Sequence, residues 1–193
     1  MLFPLIVVNE ELSMEIPMLQ FVITFSDKID KMIPPKAING YLFALLKELE
    51  NTKPARETHG GSVLQELAGS LKRRGLIILI SDLLDEPEEV VKGLKQLRSR
   101  GNDVIVFHLL DKDELEFPFE EPTLFRDLEE DIKLLTDPQS IRPAYLSVMT
   151  SLIEGYKKAC TSHLIDYSLL DTTVGLDRAL VRYLTWREKF RPT

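Results

Sequence analysis

The feature that most constrains the fold is the run Gly75-Leu76-Ile77-Ile78-Leu79-Ile80, closed by Ser81-Asp82-Leu83-Leu84-Asp85. It has the length of a strand and no polar alternation, which predicts a strand buried on both faces of a parallel sheet. Ligands of open α/β sheets gather beyond the carboxyl ends of such strands. Ser81 and Asp82 stand at that end. Next, Glu86-Pro87-Glu88-Glu89 suits the positive end of a helix, with proline tolerated in the first turn. Val90, Val91, Leu94 and Leu97 give that helix an apolar face, and Gly101 stops it. Asp103 to Leu110 is a second buried strand, ending at Asp111. A strand–helix–strand unit of this kind predicts parallel strands and a right-handed crossover.

The flanking sequence is consistent with one sheet. Leu5 to Val8 and Leu19 to Phe25 read as strands, and Ile29 to Ile33 as a paired return strand. Apolar spacing predicts helices over Asn39 to Leu49 and Val63 to Arg73. Thr123–Leu128 and Ile132–Leu135 alternate as a small hairpin would. A long helix runs from Pro138 to Cys160 or His163. Asp166 to Asp171 is a last strand and Gly175 to Phe190 a closing helix. At 193 residues, 44% hydrophobic and 28% charged, the chain is expected to form a single domain over 1–193.

Charge and cysteine content narrow the function classes. A net charge of -7 argues against nucleic acid or anionic membrane as the main partner. The single cysteine, Cys160, allows no internal disulfide and fits a cytoplasmic location. The apolar opening Met1 to Val8 is too short to span a bilayer and lacks a basic leader, so no membrane span is expected. No Gly-x-Ser-x-Gly elbow accompanies Ser81. His108 sits inside an apolar strand and reads as a core histidine, and Cys160 as a packed thiol. Gly60-Gly61 lacks the Lys-Ser/Thr of a phosphate loop. The acidic run Asp111 to Glu121 reads as a solvated face, and Phe117-Pro118-Phe119 as cover for a sheet edge.

Certain stretches resemble a known family in order and spacing. They are Phe21-Val22-Ile23-Thr24-Phe25-Ser26-Asp27, Ile33-Pro34-Pro35, Glu57-Thr58, Arg73-Arg74-Gly75 leading into Ser81-Asp82, and Val104-Ile105-Val106-Phe107-His108 with Asp111 and Glu114. Asp166-Tyr167 and Ala179-Leu180 to Tyr183-Leu184 continue the match. The chain resembles a von Willebrand factor A-like domain, more narrowly the bacterial domain-of-unknown-function 58 family. The resemblance implies an α/β fold with an open, mostly parallel sheet. It also implies a metal-ion-dependent adhesion site built from an Asp-x-Ser-x-Ser motif, a threonine and an aspartate.

Thr58 and Asp82 match the last two of these. The motif maps onto Asn9, Glu11 and Ser13, with Asn9 in place of the aspartate and Glu11 in place of the first serine. The implied, degenerate metal set is therefore Asn9, Glu11, Ser13, Thr58 and Asp82, for Mg²⁺ or Mn²⁺, both oxygen-seeking ions. Residues 1–20 diverge from the family. Only Glu15 to Gln20 separate the first two strands by this reading, so the first crossover helix is missing.

Relatives are encoded near MoxR-type AAA+ ATPases, which implies a non-enzymatic adaptor or protein–protein interaction role with such an ATPase. Ser81, Asp82 and Asp111 are the expected partner-binding surface, on loops where binding residues tend to lie. A metal-dependent enzyme using Asp82 and Glu11, and a degenerate chain without activity, are the alternatives. The missing helix would leave a sheet face uncovered, and the sequence leaves open whether the chain forms a homodimer through it.

Overall fold

The computed structural model describes residues 5–10, 19–25, 29–33, 47, 50, 60–126 and 133–190. Among these residues six strands form the main sheet: β1 (Leu5–Glu10), β2 (Leu19–Phe25), β3 (Ile29–Ile33), β4 (Gly75–Ser81), β5 (Asp103–Leu110) and β8 (Asp166–Asp171). Their order is β3-β2-β1-β4-β5-β8. A separate hairpin pairs β6 (Thr123–Arg126) with β7 (Lys133–Thr136). The helices are α1 (Gly60–Ser70), α2 (Pro87–Ser99), α3 (Lys112–Glu116), α4 (Pro138–Ser162) and α5 (Leu176–Phe190). The expected helix over 39–49 lies outside the described residues, except Lys47, which is helical.

β4 is an inner strand, as its apolar run predicts, with β1 on one side and β5 on the other. It pairs with β5 in parallel, Ile77 opposite Val104 and Ser81 opposite His108, and β5 pairs with β8 in parallel. Alternate residues then face opposite sides. Ile77, Leu79, Val104 and Val106 pack against Leu64 and Leu67 of α1, Leu94 of α2 and Tyr156 of α4. Ile78, Ile80, Ile105 and Phe107 face the other way, toward Leu180 and Tyr183 of α5. Helices thus flank both faces of a mixed α/β sheet.

The sheet is mixed rather than mostly parallel, which corrects the expectation drawn from sequence. β1 runs antiparallel to both β2 and β4, and β2 runs antiparallel to β3. For β1 and β2 the cause is the short segment from Glu10 to Leu19. A parallel crossover needs about a dozen residues or more, whereas an antiparallel return needs only a turn.

Two expectations at α2 hold. Pro87 starts the helix with Glu88 and Glu89 in its first turn, and Gly101 follows it at φ +87°, a left-handed conformation glycine adopts without strain. Against α1 the approach is tight. A Cβ on Gly61 would lie 2.6 Å from Glu89 Cβ and 2.7 Å from the Glu89 carbonyl carbon, and one on Gly93 would lie 2.5 Å from Leu64 Cβ. Neither neighbour is the flexible end of a side chain, so the helices would have to separate. Gly61→Ala and Gly93→Ala should each cost about 1–3 kcal/mol by overpacking. Gly69, on the same helix as Gly61, has open space around it, and Gly69→Ala should be neutral or stabilising by about 0.5–1 kcal/mol. Urea unfolding of the three variants checks this, and a Gly61→Ala protein as stable as the wild type would contradict the close crossing.

Candidate functional site

β4 ends in a turn whose shape is set by buried polar groups. The Ser81 hydroxyl accepts from the Leu83 N–H at 3.1 Å, a local bond that serine makes readily in turns. Leu83 takes φ 52°, a conformation unfavourable for a side chain of this kind. It is held there by its own burial, at 2% exposure, and by a bond from the Tyr156 hydroxyl to its carbonyl at 3.2 Å. Leu84, next in line, is 58% exposed. Asp85 turns back to accept from the Gly60 N–H at 2.9 Å, which fastens the start of α1 to this loop.

His108 is the hub beneath the turn. It is fully buried on β5, opposite Ser81. Its Nε2 lies 2.7 Å from the Asp82 carbonyl oxygen and its Nδ1 2.7 Å from the Tyr167 hydroxyl. A carbonyl only accepts, so Nε2 carries the proton and donates, and the Tyr167 hydroxyl donates to bare Nδ1. The rings of Tyr156 and Tyr167 meet the imidazole edge to face. Burial pushes the His108 pKa down to about 4, with the bond to Asp82 working the other way. The reading of His108 as a satisfied core histidine holds. Cys160 is also buried in this core, its thiol pushed up to about 12 by desolvation.

The expected partner residues divide in position. Ser81 is buried at 5% exposure and its hydroxyl is committed to the turn, so it shapes the surface rather than forming it. Asp82 is half-buried. Desolvation holds its carboxyl above the usual carboxylate range, opposed by bonds from the Leu84 N–H, its own N–H and the Ser81 hydroxyl. Asp111 is partly exposed and begins α3. Its side chain accepts from Asp113 N at 2.9 Å, while Glu114 Oε2 accepts from Asp111 N at 2.7 Å, a reciprocal capping box. The Thr172 hydroxyl donates to the second Asp111 oxygen at 2.8 Å. Those bonds, from Asp113 first, hold the Asp111 pKa below the ordinary value. The acidic run after β5 is therefore a capped helix turn, not merely a solvated face. Phe117 and Phe119 pack with Phe125 and Tyr145, joining the small hairpin to α4 instead of covering the main sheet's edge.

The metal set implied by the resemblance is not brought together. Asn9 lies opposite Leu76 and Glu10 opposite Gly75, at the start of β4. Asp82 follows the other end of that strand, roughly 20 Å away at about 3.3 Å per residue. The antiparallel direction of β1 produces this separation. Glu11, Ser13 and Thr58 lie outside the described residues. Among the described residues no group of three or more His, Cys, Asp or Glu side chains could hold a metal ion. Asn9 and Asp82 do not fit one divalent ion.

Sequence reasoning missed Tyr156 and Tyr167 as partners of His108, and a second polar cluster at the opposite pole. There, Arg187 of α5 bonds Asp166 Oδ2 at 2.8 Å and the Tyr183 hydroxyl at 2.9 Å, and it pairs with Asp103. Asp103 and Asp166 are the first residues of two adjacent parallel strands. Acids at both strand starts, with a late arginine on the closing helix, were the available signal.

Residues 21–151 match the model of the family described as protein of unknown function DUF58. Comparison with curated proteins gave no match. Among solved structures the chain is similar to an aerotolerance-related membrane protein from Bacteroides fragilis NCTC 9343, crystallised with multiple mutations to serines. The two are 18% identical, with 81% of this chain and 75% of that one covered, at a TM-score of 0.45. Among the described residues no helix is long and apolar enough to cross a membrane. The family match covers more than half of the chain, which belongs to the DUF58 family.

Two outcomes test this account of the site. An unfolded histidine titrates near 6.5 and the folded His108 near 4, so the unfolded state binds more protons in that window. Stability should be full above about pH 6.5 and fall as the pH drops through 6 and 5, by roughly 3 kcal/mol at most. His108→Gln should flatten that slope in urea unfolding at pH 7.5, 5.5 and 4.5. Millimolar Mg²⁺ or Mn²⁺ should leave the thermal midpoint unchanged. A rise that disappears in Asp82→Ala would show that the carboxylate does hold an ion.

Proposed function

We propose that this DUF58-family chain is a non-enzymatic protein-interaction domain that presents the turn after β4 to a partner. The observation that carries the reading is the pinning of that turn. Ser81, His108 and Tyr156 fix Asp82 and Leu83, the residues just before Leu84, through three hydrogen bonds to backbone groups of the turn. One carboxylate and one exposed leucine then stand at a defined position, next to the capped Asp111. An ordered loop loses less conformational entropy on binding, which favours affinity.

The nucleophile and base candidates around the turn support the same reading. The Ser81 hydroxyl accepts from the backbone, and both ring nitrogens of His108 are bonded. A hydrolytic pair needs its base within reach of an available nucleophile. These groups are spent on structure.

A MoxR-type AAA+ ATPase is the partner we propose, on the resemblance described above. Binding to such an ATPase from the same organism, measured with purified proteins, should weaken about tenfold or more in Asp82→Ala and in Leu84→Asp, the loss of about 1.4 kcal/mol or more. Both side chains are at least partly exposed, so the variants should keep the wild-type circular dichroism spectrum. Binding that is intact in both variants would overturn the assignment of this surface.

A further inference from the structure

A groove of about 680 Å³ runs along β8, between α4 and α5. β8 is the last strand of the sheet, so among the described residues one of its edges is unpaired. The direction of its backbone groups follows from one bond. The Thr172 N–H donates to the Leu110 carbonyl at 3.0 Å, and Leu110 lies opposite Asp171. In a parallel ladder alternate residues turn their N–H and C=O to the same side. Ser168, Leu170 and Thr172 therefore face β5, and Tyr167, Leu169 and Asp171 turn outward. The Asp171 carbonyl is used by the Val174 N–H at 3.1 Å. The outward groups of Tyr167 and Leu169 have no hydrogen-bond partner among the described residues.

The walls of the groove carry both signs of charge: Glu154 and Asp171 line it too, and the arginines are gathered on α5. Ile153 and Lys157 of α4 stand on one side, and Arg178, Arg182 and Trp186 of α5 on the other. Lys157 pairs with Glu154 at 3.3 Å. Arg178 and Arg182 are exposed, one helical turn apart, and neither has a side-chain partner among the described residues. Trp186 is 42% exposed and Val174, at the end of the groove, 45%. In a chain of net charge -7 this is a local cationic strip beside apolar surface and unused backbone donors and acceptors.

We propose that the free edge of β8 takes up an extended segment of a partner protein as an added strand. Main-chain bonds to Tyr167 and Leu169 would supply affinity, and alternate side chains would supply specificity. One side of the added strand carries carboxylates against Arg178 and Arg182, with an apolar residue on Trp186. The opposite side rests on Ile153 and Lys157. A second copy of this chain is the poorer occupant, because two-fold pairing of β8 edges would bring the two arginine strips together. This surface is separate from the turn after β4, and loss of partner binding at Asp82 leaves it untouched.

The test is selection of short random peptides displayed against the intact chain, followed by measurements on the strongest binder. The selected peptides should alternate Asp or Glu with apolar residues. Arg178→Glu combined with Arg182→Glu should weaken the peptide about tenfold or more while leaving the circular dichroism spectrum unchanged. N-methylation of the peptide amides on one edge should abolish binding, and on the other edge should not. Amide exchange at Leu169 should slow by about tenfold or more when the peptide is bound. Basic or helix-forming peptides from the selection, or unchanged exchange at Leu169, would overturn the proposal. So would a chain that sediments as a dimer closed through this edge.

Discussion

The direction of β1 against β4 governs which polar groups share an end of the sheet. Eight residues separate β1 from β2, fewer than a parallel crossover requires. β1 and β2 are therefore antiparallel, and β1 also runs antiparallel to β4. Its polar end meets Gly75 and Leu76 instead of Ser81. Everything that an oxygen-lined ion site would need from β1 is thereby carried to the far pole. What remains beyond Ser81, among the described residues, is a turn held by groups of β4, β5, β8 and α4 and tied to the start of α1.

That turn depends on keeping His108 neutral. Charging a buried imidazole carries a large desolvation cost, and here it would also break the donor pattern. A proton on Nδ1 would face the Tyr167 hydroxyl, which now donates to it. The hydroxyl would have to rotate and give up its donor bond inside the core. Because the Asp82 carbonyl is bonded to the same ring, the position of the exposed Leu84 and the half-buried Asp82 is coupled to this one protonation state. Tyr156 acts in parallel through the Leu83 carbonyl. The surface is thus set from below, by the buried side chains of His108 and Tyr156.

Much of the fold was legible because its signals are local. The uninterrupted apolar run of β4, the proline and acids opening α2 and the glycine closing it all have a direct physical meaning at their own positions. The strand at 166–171 and the long α4 followed from periodicity in the same way. Strand direction was not legible from such signals. The shortness of the link before Leu19 was visible and cast doubt on a parallel neighbour, yet nothing in Leu5 to Glu10 states which strand β1 joins. The site was legible only in part. Asp82 and Asp111 stand at strand ends, as the alternation of strands and helices implied. Ser81, by contrast, carries an inward side chain, because β4 residues of odd number face the helices α1, α2 and α4. The tyrosines that hold His108 come from sequence positions far from it, and pairing across such distances is set by the sheet and not by spacing.

The two edges of the sheet differ in how they resist further pairing. Exposed strand edges invite other chains, and proteins protect them with short strands, charges and irregularities. β3 shows all three: it has five residues, it exposes Asp30 and Lys31, and its register with β2 shifts at Thr24 and Phe25. β8, of six residues, keeps its charges to its ends, Asp166 and Asp171, and its register with β5 is regular; Tyr167 to Leu170 between them are apolar or hydroxyl-bearing. Its defence is instead the flanking pair α4 and α5, which leaves a channel that a single extended segment can enter but another sheet cannot easily approach. The cations on that channel's walls repel a like-charged copy and attract an acidic strand. An edge guarded in this way selects among partners, whereas the β3 edge refuses them.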